Sequence, residues 1–137
     1  MIYKPDLSDQ SIAKKDFEKI ISKSKEIIIN VCKQCGNNFL PNIEYYSNLE
    51  NAIKQIQENH DKYIFDTDAT EYFVQDELDN DSSVTIITGP ESGFSNKEIK
   101  IIANGELKIR YLGRNILRSE TAPIVVSSII KNHFGRI

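Results

Sequence analysis

Cysteine and histidine are scarce in this sequence, and so are the spacings that would turn them into chemistry. Only Cys32 and Cys35 occur, in "CKQCG", while His60 and His133 lie far off with no ligand-like spacing. One C-x-x-C pair is half of a tetrahedral zinc site, so the pattern reads as two thiols near a helix end, with no metal and no dithiol chemistry. Long apolar runs are also missing. None approaches the roughly 18 residues that a membrane helix needs, so no membrane partner is expected. The opening "MIYKPDLSDQ" holds a proline and two aspartates where a secretory signal would have an apolar core, which makes a cytoplasmic location the default. No internal repeat, low-complexity tract, GxGxxG or Walker sequence is present.

What remains is the composition of a soluble globular chain. At 137 residues, 39% of them hydrophobic and 27% charged, the length fits a single domain with a real core. The net charge of −3 argues against a generic nucleic-acid binder, yet it is unevenly spread. From Lys97 onward eight Lys/Arg face three Glu, a balance of +5, leaving −8 for the rest. The C-terminal part is therefore the side able to attract phosphate.

Hydrophobic spacing supplies the elements. Ile12, Ile20, Ile21, Ile28, Val31 and Cys35 form a helical stripe that starts near "SDQS" and stops at Gly36, a residue suited to a left-handed cap. "SNLENAIKQIQEN" opens with a capping box, Ser47-x-x-Glu50, and sets Leu49, Ile53 and Ile56 on one face of a second helix. "KYIFD", "VTIIT" and "LKIRYLG" read as strands. Between the last two, Ser95-x-x-Glu98 starts a helix that Gly105 ends, and the tail from Ser119 fits a helix with Pro123 in its first turn and Gly135 at its stop. The acidic stretch from Asp68 to Ser83 reads as an irregular or partly helical connection. Strands alternating with helices imply an α/β fold, a mostly parallel sheet flanked by helices.

In such a sheet, ligands sit beyond the carboxyl ends of the strands. Two of those ends are unusual. In "TGPESGFS", Gly89 and Gly93 permit close backbone approach, Pro90 stiffens the turn, and Ser95 caps the next helix. In "LGRNILRSETA", Arg114 and Arg118 stand four apart with Glu120 behind them, an arrangement able to bind phosphate or hold a guanidinium in place. Spacing alone leaves open an ordinary tight turn and a surface ion pair.

The blocks "CKQCGNNFLPNI", "ITGPESGFSNKEI" and "YLGRNILRSETA", with a closing "HFG", together resemble the RsmE family of SPOUT-class methyltransferases. They follow the family's order from about Lys14 to Gly135, with Ser92 where the family has a second glycine and Asn37 where it has arginine. The resemblance implies S-adenosylmethionine-dependent methylation of uridine N3 in 16S rRNA of the small ribosomal subunit. It also implies a homodimeric α/β domain with a C-terminal trefoil knot. The family's N-terminal RNA-binding barrel has no counterpart before "MIYKPDLS", so residues 1–137 read as a single SPOUT domain, N-terminally truncated relative to the family. Carried over by position, the resemblance assigns the cofactor to Thr88, Gly89, Pro90, Glu91, Gly93, Leu112, Gly113, Ile116, Leu117 and Arg118.

Uridine N3 carries an imide proton, and charge gathers on the pyrimidine as that proton leaves. Arg118 is the expected main electrostatic group, with Arg114 assisting and Glu120 orienting an arginine. No general base stands out. The alternative expectation is a catalytically silent knotted module that dimerises or binds RNA.

Overall fold

The computed structural model describes residues 1–7, 14–58, 60–79 and 83–136. They fall into two compact units, Met1–Gln55 and Ile56–Ile137.

In the first unit, β1 (Ile2–Tyr3) pairs in parallel with β2 (Tyr45–Tyr46), and two helices accompany them: α1 (Lys14–Cys35) and α2 (Leu49–Ile53). Two-residue strands are too short to show an alternating pattern, and sequence reading misses both. The sheltered line of α1 runs through Phe17, Ile21, Ser24, Ile28 and Cys32, and the Phe17 ring stacks on Tyr45 at 4.3 Å. Ile20, Val31 and Cys35, expected on that line, are exposed: Ile20 and Val31 lie about 100° around the helix from the sheltered Ile21 and Cys32, and Cys35 is the last residue of α1. Ile12 and the "SDQS" start lie outside the described residues. Gly36 ends α1 at φ +71°, as a left-handed cap should.

The second helix departs from its expected start. Asn48, not Ser47, is the cap, its Oδ1 accepting the Asn51 N–H at 2.8 Å, which moves Glu50 out of the box position and toward Lys54 at 2.7 Å. With its start one residue later and its end at Ile53, α2 is a single turn that buries Leu49 and Ala52.

The second unit is built on a three-stranded parallel sheet in the order β4-β3-β5, formed by β3 (His60–Phe65), β4 (Ser83–Thr88) and β5 (Lys108–Arg110). Being central, β3 has its last three residues, Tyr63, Ile64 and Phe65, buried. Between β4 and β5, α3 (Asn96–Asn104) carries the chain across β3, starting at the expected box: Ser95 Oγ accepts from the Glu98 N–H, and Glu98 accepts from the Ser95 N–H. α4 (Ala122–His133) has Pro123 in its first turn and is followed by Gly135 at φ +63°. Its Val126 joins Tyr63, Phe65, Phe73 and Leu78 in the core, with Ile129, Ile130 and Phe134 packed against them.

Two of those core residues, Phe73 and Leu78, come from the acidic connection after β3, around a 3₁₀ turn at Gln75–Glu77. The same segment is tied to the sheet edge by Arg110. Its guanidinium, 14% exposed, donates to Glu77 at 2.7–3.1 Å and pairs with Glu71 at 2.7 Å. The Arg110 hydrogen bonds hold the Glu77 carboxyl below its ordinary value of 4.5, against an opposing effect of burial. A carboxyl lowered on folding stabilises the native state above its unfolded value, and that stabilisation is lost as the pH falls through the native value. Thermal melts from pH 7 to pH 3 should therefore show a drop below about pH 4.5 that Glu77→Gln reduces, with the variant about 2 kcal/mol less stable at neutral pH. Equal acid sensitivity in both proteins would remove this ion pair from the account.

Candidate functional site

Because all three strands run the same way, their carboxyl ends share one edge of the sheet. The segments leaving that edge, after Phe65, Thr88 and Arg110, enclose one cavity of about 610 Å³. All ten residues assigned from the sequence to a cofactor line it: Thr88 to Glu91 with Gly93 from one loop, and Leu112, Gly113 and Ile116 to Arg118 from another. Gly89 and Leu117, far apart along the chain, thus face the same space.

The glycines have different reasons for being there. Gly93 sits at φ +73°, in a turn closed by its N–H donating to the Pro90 carbonyl at 3.0 Å. At Gly89 the constraint is space, since a Cβ would lie 2.9 Å from the Phe94 ring, itself part of the cavity wall. Ser92, the residue that departs from the family's glycine, is exposed and is not among the lining residues.

The charged residues sit differently from one another. Arg114 and Arg118 both line the cavity and are exposed, the Arg118 side chain to 83%. Glu120 lies outside the lining, 4.0 Å from the Arg118 guanidinium, and accepts from Ser119 Oγ at 3.4 Å. An ion pair this long and this open to water contributes little rigidity.

Sequence reasoning misses the third wall. Phe65, Asp66, Thr67 and Asp68, at the end of β3, line the same cavity, as do Phe94, Tyr111 and Asn115. The signal was available: the rule that ligands bind at strand ends applies to "KYIFD" as well, but that end has no glycine to draw the eye. Cys32 and Cys35 are free thiols in the first unit, and Asn37 there folds its Oδ1 onto the Phe39 N–H at 3.0 Å. Among the described residues, no group of three or more His, Cys, Asp or Glu is placed to hold a metal ion, and no helix is long and apolar enough to cross a membrane.

Comparison with known proteins adds matches of sequence and of fold. A family model described as an RNA methyltransferase domain matches residues 2–131. The ribosomal RNA small subunit methyltransferase E of Buchnera aphidicola subsp. Acyrthosiphon pisum is 35% identical over 121 residues, 88% of this chain and 47% of that protein. A Legionella pneumophila protein solved in complex with the bound cofactor SAM aligns with a TM-score of 0.81 and 25% identity, covering 95% of this chain and 53% of the other. A ribosomal RNA small subunit methyltransferase E from Neisseria gonorrhoeae, solved bound to S-adenosyl methionine, shares the fold at a TM-score of 0.77 and 22% identity, over 91% and 52% of the two chains. The chain spans about half the length of the proteins it matches.

Proposed function

We propose, since the chain belongs to the RNA methyltransferase domain family, that its second unit binds S-adenosylmethionine and serves methyl transfer to uridine N3 of small-subunit ribosomal RNA. One observation carries this reading: the loops after β3, β4 and β5 meet around a single cavity that holds all ten positions assigned to the cofactor.

The residues present fit that ligand. The volume lies in the ordinary range for small-molecule sites, about 300–1,000 Å³. Backbone around Gly89 and Gly113 offers hydrogen-bonding groups to a nucleoside, while Leu112, Ile116 and Leu117 offer apolar surface and the arginines a partner for a carboxylate. When bound, the cofactor supplies an electrophilic methyl carbon on a sulfonium centre.

The chain's own residues answer the other half of the chemistry. Uridine N3 becomes nucleophilic as its imide proton passes to water, and negative charge then spreads over N3 and the two carbonyl oxygens of the base. Arg118 and Arg114, both exposed residues of the cavity lining, are the cations available to that charge. Glu120 holds Arg118 only loosely from outside. The same reading takes residues 1–137 as one SPOUT-type domain, knotted through its C-terminal part and acting as a homodimer in the cytoplasm.

The test is incubation of the chain with methyl-labelled S-adenosylmethionine and small ribosomal subunits from a strain lacking the modification. The expected result is label on the N3 position of a uridine, together with a rise in melting temperature at saturating cofactor. Absence of both label and thermal shift would identify a silent module instead.

A further inference from the structure

The end of β3 brings to this cavity a charge opposite to that of its arginines. Asp66 follows Phe65, which lies opposite Thr88 on one side and Arg110 on the other, so Asp66 stands between the two ligand-facing loops. Its backbone is anchored, the N–H donating to the Arg110 carbonyl at 3.1 Å, and its Oδ1 accepts from the Asp68 N–H at 3.2 Å. It is half-buried, whereas the other lining carboxylates, Asp68 and Glu91, are exposed. Solvent screens those two far more effectively than Asp66. The cavity thus combines a sheltered anion between its loops with two cations in open solvent.

Methyl transfer converts a cationic sulfonium ligand into a neutral thioether of nearly the same shape. Apolar walls such as Phe65, Leu112 and Leu117 cannot tell the two apart, because the shape they contact hardly changes. A fixed charge can. We propose that Asp66 is the specificity-determining group that makes the cavity hold the sulfonium donor more tightly than its thioether product; this rests on reading the cavity as the donor's site. A partly sheltered carboxylate attracts a nearby cation several times more strongly than bulk water would allow, and it has no such attraction for the thioether. The consequence is that the spent ligand leaves readily and inhibits weakly.

Calorimetric titration tests this with three probes: S-adenosylmethionine, S-adenosylhomocysteine, and sinefungin, in which an amine-bearing carbon takes the place of the methyl sulfonium. The two cationic ligands should bind the unmodified protein roughly ten-fold more tightly than the thioether. Asp66→Asn retains a carbonyl acceptor for the Asp68 N–H, so the loop is preserved; it should shrink the ratio to about two-fold by weakening only the cations. Asp68→Asn should leave the ratio in place. Equal weakening of all three ligands by Asp66→Asn, an unchanged ratio, or the same effect from Asp68→Asn would each overturn the assignment. Failure of every probe to bind the unmodified protein is a different result, and it removes the reading of the cavity itself.

Discussion

Replacing Tyr63 with alanine is expected to destabilise the protein by about 3–5 kcal/mol, the largest stability effect of any change considered. The side chain is fully buried on the central strand. Its ring meets Phe73 edge-on at 5.3 Å and lies 6.5 Å from Phe65, joining the sheet to the connection that follows it. Removing it takes apolar area from the core and leaves a cavity that the flanking strands, pinned by their parallel ladders, cannot collapse to fill. Lys108 Nζ, which also donates to Asp61 at 3.0 Å, loses the hydroxyl that accepts from it at 3.3 Å. Tyr63→Phe separates the two contributions, since it keeps the ring and should cost only about 1 kcal/mol. Chemical denaturation followed by circular dichroism measures both; near-equal costs for the two variants would show that the hydroxyl, not the packing, dominates.

Under the proposed function, Arg118→Ala is expected to lower the rate of methyl transfer by about 10²–10³, the usual effect of deleting a group that stabilises charge at the reacting centre. The side chain is 83% exposed, so its removal leaves the core untouched and the melting temperature close to that of the unmodified protein. Kinetics on unmodified small subunits distinguishes two ways for the cation to act. A fall in kcat with little change in KM places it on the charge that develops on the pyrimidine, whereas a rise in KM alone places it on a phosphate. Glu120→Gln, which touches Arg118 only across 4.0 Å, should change the rate less than about three-fold. Unchanged transfer in Arg118→Ala would withdraw the arginine from the mechanism.

The elements read most securely from the sequence are those whose signal is local. Capping of α3 by Ser95 and Glu98, the proline in the first turn of α4, and the glycine stops at Gly36 and Gly135 depend on hydrogen bonds or torsions within a few residues. The cap of α2 differs from the expected one by one position: Ser47 and Asn48 are both competent caps, and Asn48 takes the role while Ser47 Oγ accepts from the Asn51 side chain. The sheltered stripe of α1 also differs from the expected one, because isoleucines at several successive angles let the period be drawn along more than one line.

Residue chemistry along the chain was enough to determine the α/β class, the parallel sheet and both glycine-bearing walls of the cavity. Steric freedom at a glycine, the missing N–H of a proline and the alternation of strand with helix are all written into neighbouring residues. Tertiary structure alone decided that β3 is central, that an acidic connection supplies Phe73 and Leu78 to the core, and that the end of β3 places Asp66 between the two glycine-bearing loops. Those outcomes depend on which strand ends are brought side by side, and strand order is settled by burial summed over the whole sheet, a quantity that no short stretch of sequence contains.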